Sequence, residues 1–185
     1  MQVSKFEVTT AGALDFEQVV TLQKANSLAV LPEDARGDGF LSSDFTAEQF
    51  EQMAKSVALI VALDAGQVIG FVCASTPEFN RNVPVPAAMM QRFPRIKIGS
   101  RRLNEVSSFI SGPVCVEKSY RGQGVFEALY NKLFDATATD FDVALAFIAT
   151  SNPRSVKAHE KVGMDVIDRF DFAGREFYIV ARGLR

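Results

Sequence analysis

SGPVCVEKSYRGQGVFEALYNKLF, residues 111–134, is the stretch from which the rest of the chain can be read. A short apolar run reaches Val116, a polar turn follows, and glycines stand at 122 and 124 just ahead of a helical pattern. Val125, Phe126, Leu129, Tyr130, Leu133 and Phe134 recur at helical spacing, while Glu127, Asn131 and Lys132 fall elsewhere. The unit is therefore a strand, a glycine loop and a helix start. Helix-starting N–H groups have no intrahelical partner, the helix dipole is positive there, and glycine lets an anion approach the backbone. Arg121 adds a positive charge beside the loop. A tight turn before a packed helix is the alternative reading of the same letters.

Two familiar phosphate loops do not match. No Gly-Lys-Ser/Thr follows either glycine, and a dinucleotide fingerprint starting at Gly122 would need glycine where Glu127 stands. A second motif lies downstream, from Asn152-Pro153 through His159 to Gly163-Met164. Asn152 suits a helix N-cap, Pro153 the first helical position and Gly163 the left-handed residue that ends a helix. With Val116 five residues before Arg121-Gly122-Gln123-Gly124-Val125, the pair of motifs over residues 111–164 resembles the GNAT family of acetyl-CoA-dependent N-acetyltransferases.

The resemblance implies a single acetyltransferase domain over residues 1–185. Its fold would be α/β of the α+β type: a mixed, mostly antiparallel central sheet with helices on both faces. It implies that main-chain groups of Val114, Cys115 and Val116 meet the pantetheine arm and thioester. Arg121, Gly122, Gln123, Gly124, Val125 and Phe126 would hold the pyrophosphate, and Asn152 would steady the arm. The arm would lie in a gap between the strands ending at Val116 and Ala149. Phe126 stands where relatives usually have a small residue, so it either narrows the approach to the phosphates or packs under the helix. His159, the one histidine of the chain, stands where many relatives place the tyrosine that protonates the leaving thiolate. It lies one turn from Val156 and Val162, facing the apolar side, and an imidazole with a pKa near ~6.5 titrates in the useful range. A core histidine bonded to a carbonyl is the alternative. Glu105 and Glu117 flank the donor strand and are the candidate bases, although a neutral fraction of the amine needs none.

Composition fits this reading. At 185 residues the chain can bury a core without metals or disulfides. A net charge of −2 does not suggest a nucleic-acid partner. No apolar run approaches the roughly 20 residues of a membrane span, so cytoplasmic residence is the expectation. Cys73 and Cys115 sit in apolar runs without metal-ligand spacing and read as small buried hydrophobes; no metal is expected.

The remaining elements follow from pattern. A strand is expected at 6–9 and a helix at 14–28. A second helix at 47–55 carries a Thr46/Gln49 capping box and a Phe45–Phe50 staple. Strands at 57–63 and 68–74 would form a hairpin around the four residues 64–67. Residues 75–105, with prolines at 77, 84, 86 and 94, form a long connection with a helical turn near 87–92. An uninterrupted apolar strand at 143–149 suits burial on both faces. Strands near 165–172 and 176–182 close the chain around Ala173-Gly174.

Charge is uneven. Arg81, Arg92, Arg95, Lys97, Arg101 and Arg102 occupy a stretch with no acidic residue, whereas Glu33, Asp34, Asp38, Asp44, Glu48 and Glu51 crowd the segment around the second helix. The acidic segment would suit a cationic amine, and the basic one the CoA 3′-phosphate or an acidic substrate; two solvated faces are the alternative. The function expected is acetyl transfer to the primary amine of a small molecule. A protein lysine or N-terminus as acceptor, or a non-catalytic acyl-CoA-binding module, remain open at this point. The aromatic final strand pair would permit a homodimer and would equally serve a core.

Overall fold

The computed structural model describes residues 6–27, 30, 41 and 44–185. Glu33, Asp34 and Asp38 lie outside the described residues, and the helix expected to reach residue 28 ends at Ala25, with Asn26 closing it. The fold is mixed α/β with a mostly antiparallel central sheet flanked by helices. The chain packs as two compact units, Met1–Ala74 with Gly112–Asp135 and Ser75–Ser111 with Ala136–Arg185. Each unit joins two separated stretches, so no linker composition marks either.

The first unit opens with β1 (Glu7–Thr10), α1 (Asp15–Ala25) and α2 (Ala47–Ser56), followed by the hairpin β2 (Ala58–Asp64) and β3 (Gln67–Ser75). The Thr46 hydroxyl accepts from Gln49 N–H, and the Gln49 side chain accepts from Thr46 N–H. The Phe45 and Phe50 rings meet edge to face at 5.8 Å, closing the staple the sequence predicts. Phe50 reaches Phe71 of β3 at 5.5 Å and is fully buried. The β2–β3 connection differs from expectation. Strand pairing runs to Asp64↔Gln67, so Ala65-Gly66 alone makes the turn, with φ of 48° and 80°. Two positive φ values in a two-residue loop match the twist of the strands. The unit's remaining elements are the end of β6 (Ser108–Val116) and the start of α4 (Val125–Thr137), the glycine-loop helix. The strand order here is β1-β2-β3-β6.

The second unit turns the long connection into structure. It contains α3 (Pro84–Met90), a 3-10 turn at Phe93–Arg95, the two-residue strands β4 (Lys97–Ile98) and β5 (Arg101–Arg102), and a 3-10 turn at Leu103–Glu105. Two prolines in the first turn of α3 cost nothing there, because those N–H groups have no helical acceptor. Then come β7 (Val143–Ala149), α5 (Pro153–Lys161), β8 (Asp165–Phe172) and β9 (Arg175–Gly183). The order is β6-β7-β9-β8: β6 pairs β7 in parallel at Ser108↔Val143 to Ile110↔Leu145, and β9 is antiparallel to both neighbours. Its core draws Met89, Phe93 and Leu103 of the connection onto Leu145, Phe170 and Ile179. Phe170 and Phe177 stack at 5.2 Å inside this core. Of the basic residues, Arg92 forms a two-pronged pair with Asp168, Arg101 reaches Asp142 at 3.0 Å, and Arg81 meets Glu78.

Among the described residues, no helix is long and apolar enough to cross a membrane.

Candidate active site

The glycine loop is built by turning its own side chains back into the protein. Glu117 N–H donates to the Ile69 carbonyl at 2.8 Å, fixing the end of β6 against β3. The Glu117 carboxylate accepts from the N–H and hydroxyl of Ser119, opening a 3-10 turn over Lys118–Tyr120. The Tyr120 hydroxyl donates to Asp64 at the end of β2, and that acceptor raises the phenol's pKa. Arg121 Nε donates to the Val116 carbonyl at 2.9 Å, and Gln123 Nε2 donates to the Ser119 carbonyl at 2.7 Å.

At the two glycines the backbone itself is exposed. Gly122 and Gly124 have φ of 75° and 83°, and a Cβ built at either position would meet nothing within 4 Å. The Gly124 carbonyl accepts the Ala128 N–H, so α4 begins at once behind the glycines. Thirteen residues of helix follow the glycines, so the positive end of a helix dipole lies at the loop. Val125 is buried and seats the helix. Phe126 is half-buried with its ring 4.8 Å from Tyr130, so it packs along α4.

The donor-strand residues divide by burial. Val114 and Val116 are half-buried, and Cys115 is buried. Burial pushes the Cys115 thiol up to about 12, with Arg121 opposing and Glu117 adding, and burial likewise raises Cys73. Neither is a thiolate at neutral pH, in keeping with small hydrophobic cysteines.

In the second unit, Asn152 caps α5 as the sequence predicts: its Oδ1 accepts from Ser155 N–H at 3.1 Å, and Pro153 takes the first helical position. Gly163 has a φ of 77°, ending the helix. His159 is buried, 3% exposed, and its Nδ1 lies 2.8 Å from the Ser155 carbonyl. A ring nitrogen facing a carbonyl must carry the proton, which sets the neutral tautomer. Burial draws the imidazole pKa down to about 4, the carbonyl opposing. At neutral pH the ring is therefore uncharged, and its Nδ1 proton is committed to the backbone. Glu105 is exposed, and its carboxylate accepts from Arg102 N–H at 3.0 Å, holding the 3-10 turn before β6.

Of the predicted site residues, the structure gathers Val114 to Phe126 around one loop in the first unit. Asn152, His159 and Glu105 belong to the second. Sequence reading missed Asn26, Asp64 and Tyr120, which brace the loop; Asn26 and Asp64 lie far from the motif in the chain, and the hydroxyl of Tyr120 carried no signal of its own.

The sequence matches the family model described as the acetyltransferase (GNAT) family over residues 25–164. A search among curated protein sequences finds no match. Among solved structures, yncA from Salmonella typhimurium, solved with its cofactor acetyl-CoA, is similar at 13% identity and a TM-score of 0.63, covering 98% of this chain and 95% of that one. A structure assigned as a phosphinothricin N-acetyltransferase is similar at 20% identity and 0.63, covering 97% and 99%. The Escherichia coli N-acetyltransferase that acts on an alanine of a ribosomal protein is similar at 10% identity and 0.62, covering 97% and 94%. Identities this low speak for the fold and not for the acceptor.

Proposed function

We propose that this chain, which belongs to the GNAT acetyltransferase family, acts as one domain that holds acetyl-CoA on its glycine loop and transfers the acetyl group to the primary amine of a small molecule. The observation that carries the reading is the pair of left-handed glycines with open space above them at the start of α4. The proposal gives the pyrophosphate to the N–H groups of Gly122, Gln123, Gly124, Val125 and Phe126, and the pantetheine arm to the edge of Val114–Val116. The Asn152 cap uses the amide oxygen, and its NH2 is assigned to the arm.

Acetyl-CoA supplies an activated acetyl thioester. The acceptor nitrogen bonds to the carbonyl carbon, the C–S bond breaks, and the proton that nitrogen loses balances the one that sulfur gains. Side chains have a limited share in that exchange. His159 is neutral and its Nδ1–H donates to the Ser155 carbonyl, so the proposal assigns it to bracing α5 in place of the expected acid. Glu117, at the end of the donor strand, is the nominated base, and Glu105 is assigned to its turn. The small-molecule acceptor is part of the proposal and not of the fold likeness, which takes in a phosphinothricin and a ribosomal-protein acetyltransferase alike. A cytoplasmic setting belongs to the same proposal.

Isothermal titration with acetyl-CoA and CoA tests the donor site. Binding lost in Gly124→Glu, which adds a side chain and a like charge in the cradle, supports it; no binding to the wild type overturns it. Thiol release on small amines against none on peptides supports the acceptor class, and the reverse overturns it.

A further inference from the structure

The arginine of the loop is engaged by the protein's own groups. While its Nε holds the Val116 carbonyl at 2.9 Å, its Nη2 donates to Asn26 Oδ1 at 2.7 Å. Asn26 is the residue after α1 and is 8% exposed. Its amide orientation is fixed from the other side, because Nδ2 donates to the Leu22 carbonyl at 2.9 Å and so leaves Oδ1 as the acceptor. Its backbone is held too, since the Asn26 carbonyl accepts from Leu41 N–H at 2.9 Å and its own N–H donates to the Gln23 carbonyl at 3.0 Å.

An arginine beside an anion site can serve as a charge for the ligand or as a strut for the backbone. Here one edge of the planar guanidinium spans from Asn26 to Val116, and the strand end and loop start are fixed by the same group. We propose that Asn26 is a positioning residue for the donor: it holds Arg121 as a strut that sets the Val116 carbonyl and the Gly122–Gly124 turn before any ligand arrives. The inference rests on the acetyl-CoA reading of the loop and adds to it a residue outside both sequence motifs.

The two roles differ in what they leave measurable. A strut needs the fork, so Lys, which keeps the charge without the planar pair of donors, fails at position 121. A phosphate-binding charge tolerates Lys and weakens with salt. A strut also makes Asn26 and Arg121 one unit, so removing both costs no more than removing either.

Acetyl-CoA titrations of the wild type, Asn26→Leu, Asn26→Asp, Arg121→Lys, Arg121→Gln and the Asn26→Leu/Arg121→Gln double variant, at low and high salt, decide the matter. Asn26→Leu and Arg121→Lys are each expected to weaken binding about tenfold, the loss set by a hydrogen bond to a charged group. The double variant should match the worse single one, and Asn26→Asp, which keeps an oxygen for Arg121, should recover most of the affinity. The ratio between wild type and Asn26→Leu should not change with salt. Amide hydrogen exchange in the ligand-free protein at Glu117 and Ala128, whose N–H groups donate to the Ile69 and Gly124 carbonyls, should quicken in Asn26→Leu and Arg121→Lys alike. Wild-type affinity in either of these variants, or losses that multiply in the double variant, overturns the strut. A wild type that binds no acetyl-CoA overturns the donor reading instead, and hydrogen exchange still reports on the strut. If Asn26→Leu does not fold, Arg121→Lys against Arg121→Gln separates fork from charge: equal losses support the strut, and retention by Lys overturns it.

Discussion

Gly70 of β3 faces Val125, the first residue of α4, so closely that a Cβ at position 70 would stand 3.1 Å from Val125 Cγ1. It would also stand 3.2 Å from the Cys115 carbonyl oxygen and 3.2 Å from Leu129 Cδ1. The glycine is thus what lets the loop helix sit down on the sheet, and the backbone oxygen cannot swing aside as a flexible side chain can. Gly70→Ala is expected to destabilise by about 1–3 kcal/mol through overpacking. Because the helix start shifts with it, acetyl-CoA affinity should fall as well. Urea unfolding and titration of the same variant check both, and an unchanged midpoint would show that α4 yields freely.

His159 sets a pH window for stability. Its folded pKa is lowered to about 4 by burial, against an ordinary value of 6.5. A lowered histidine means that the unfolded chain binds the proton more readily. Stability should therefore be full above pH ~6.5 and decline toward pH ~4, by at most ~3 kcal/mol at the lower end. Unfolding midpoints measured across that window should slope in the wild type and flatten in His159→Gln. Turnover of His159→Gln with a good acceptor should remain within a few-fold of wild type, and a loss of about 100-fold would restore the imidazole as the acid.

The elements easiest to foresee were those whose signals are local. The Thr46 box, the Asn152 cap and the apolar run 143–149 each declare themselves within a few residues, and each stands where the sequence places it. The connection 75–105 was harder, because Pro84 and Pro86 read as loop punctuation and serve instead as the first turn of α3. In the site, the glycine loop was legible from spacing alone. The direction of Arg121 was not, since Asn26 lies 95 residues away in sequence and no periodicity links them. His159 was placed correctly on the apolar side of α5, but its protonation state depends on burial, which no local pattern encodes.

Arg92 and Asp168 tie the second unit's α3 end to β8 by two hydrogen bonds, Nε to Oδ2 at 2.9 Å and Nη2 to Oδ1 at 3.2 Å. The arginine, first by its hydrogen bond, holds the Asp168 carboxyl below the ordinary carboxylate value. A carboxylate shifted this way stabilises above its unfolded pKa, and the contribution is lost as pH falls through the folded one. Water reaches both side chains, which limits the pair to about 0.5–1 kcal/mol. Asp168→Asn should show that deficit at pH 7 and lose it as the pH falls below the ordinary carboxylate range. Arg92→Lys should show most of the same deficit at pH 7, because an ammonium cannot span both oxygens. A gap that persists unchanged in acid would assign the effect to packing.

Two hairpins place alanine where the backbone is left-handed: Ala65 with φ of 48° and Ala173 with φ of 50°, each followed by a glycine and each exposed. A Cβ in that region crowds the following carbonyl, whereas Asn tolerates it through its short polar side chain. Ala65→Asn and Ala173→Asn are each expected to raise stability by about 0.5–1 kcal/mol. The turns belong to different units, so the gains should add within ~0.5 kcal/mol in the double variant. Thermal and urea midpoints check this, and a lower midpoint in either single variant would mean that the alanine methyl, not the turn conformation, was what the fold required.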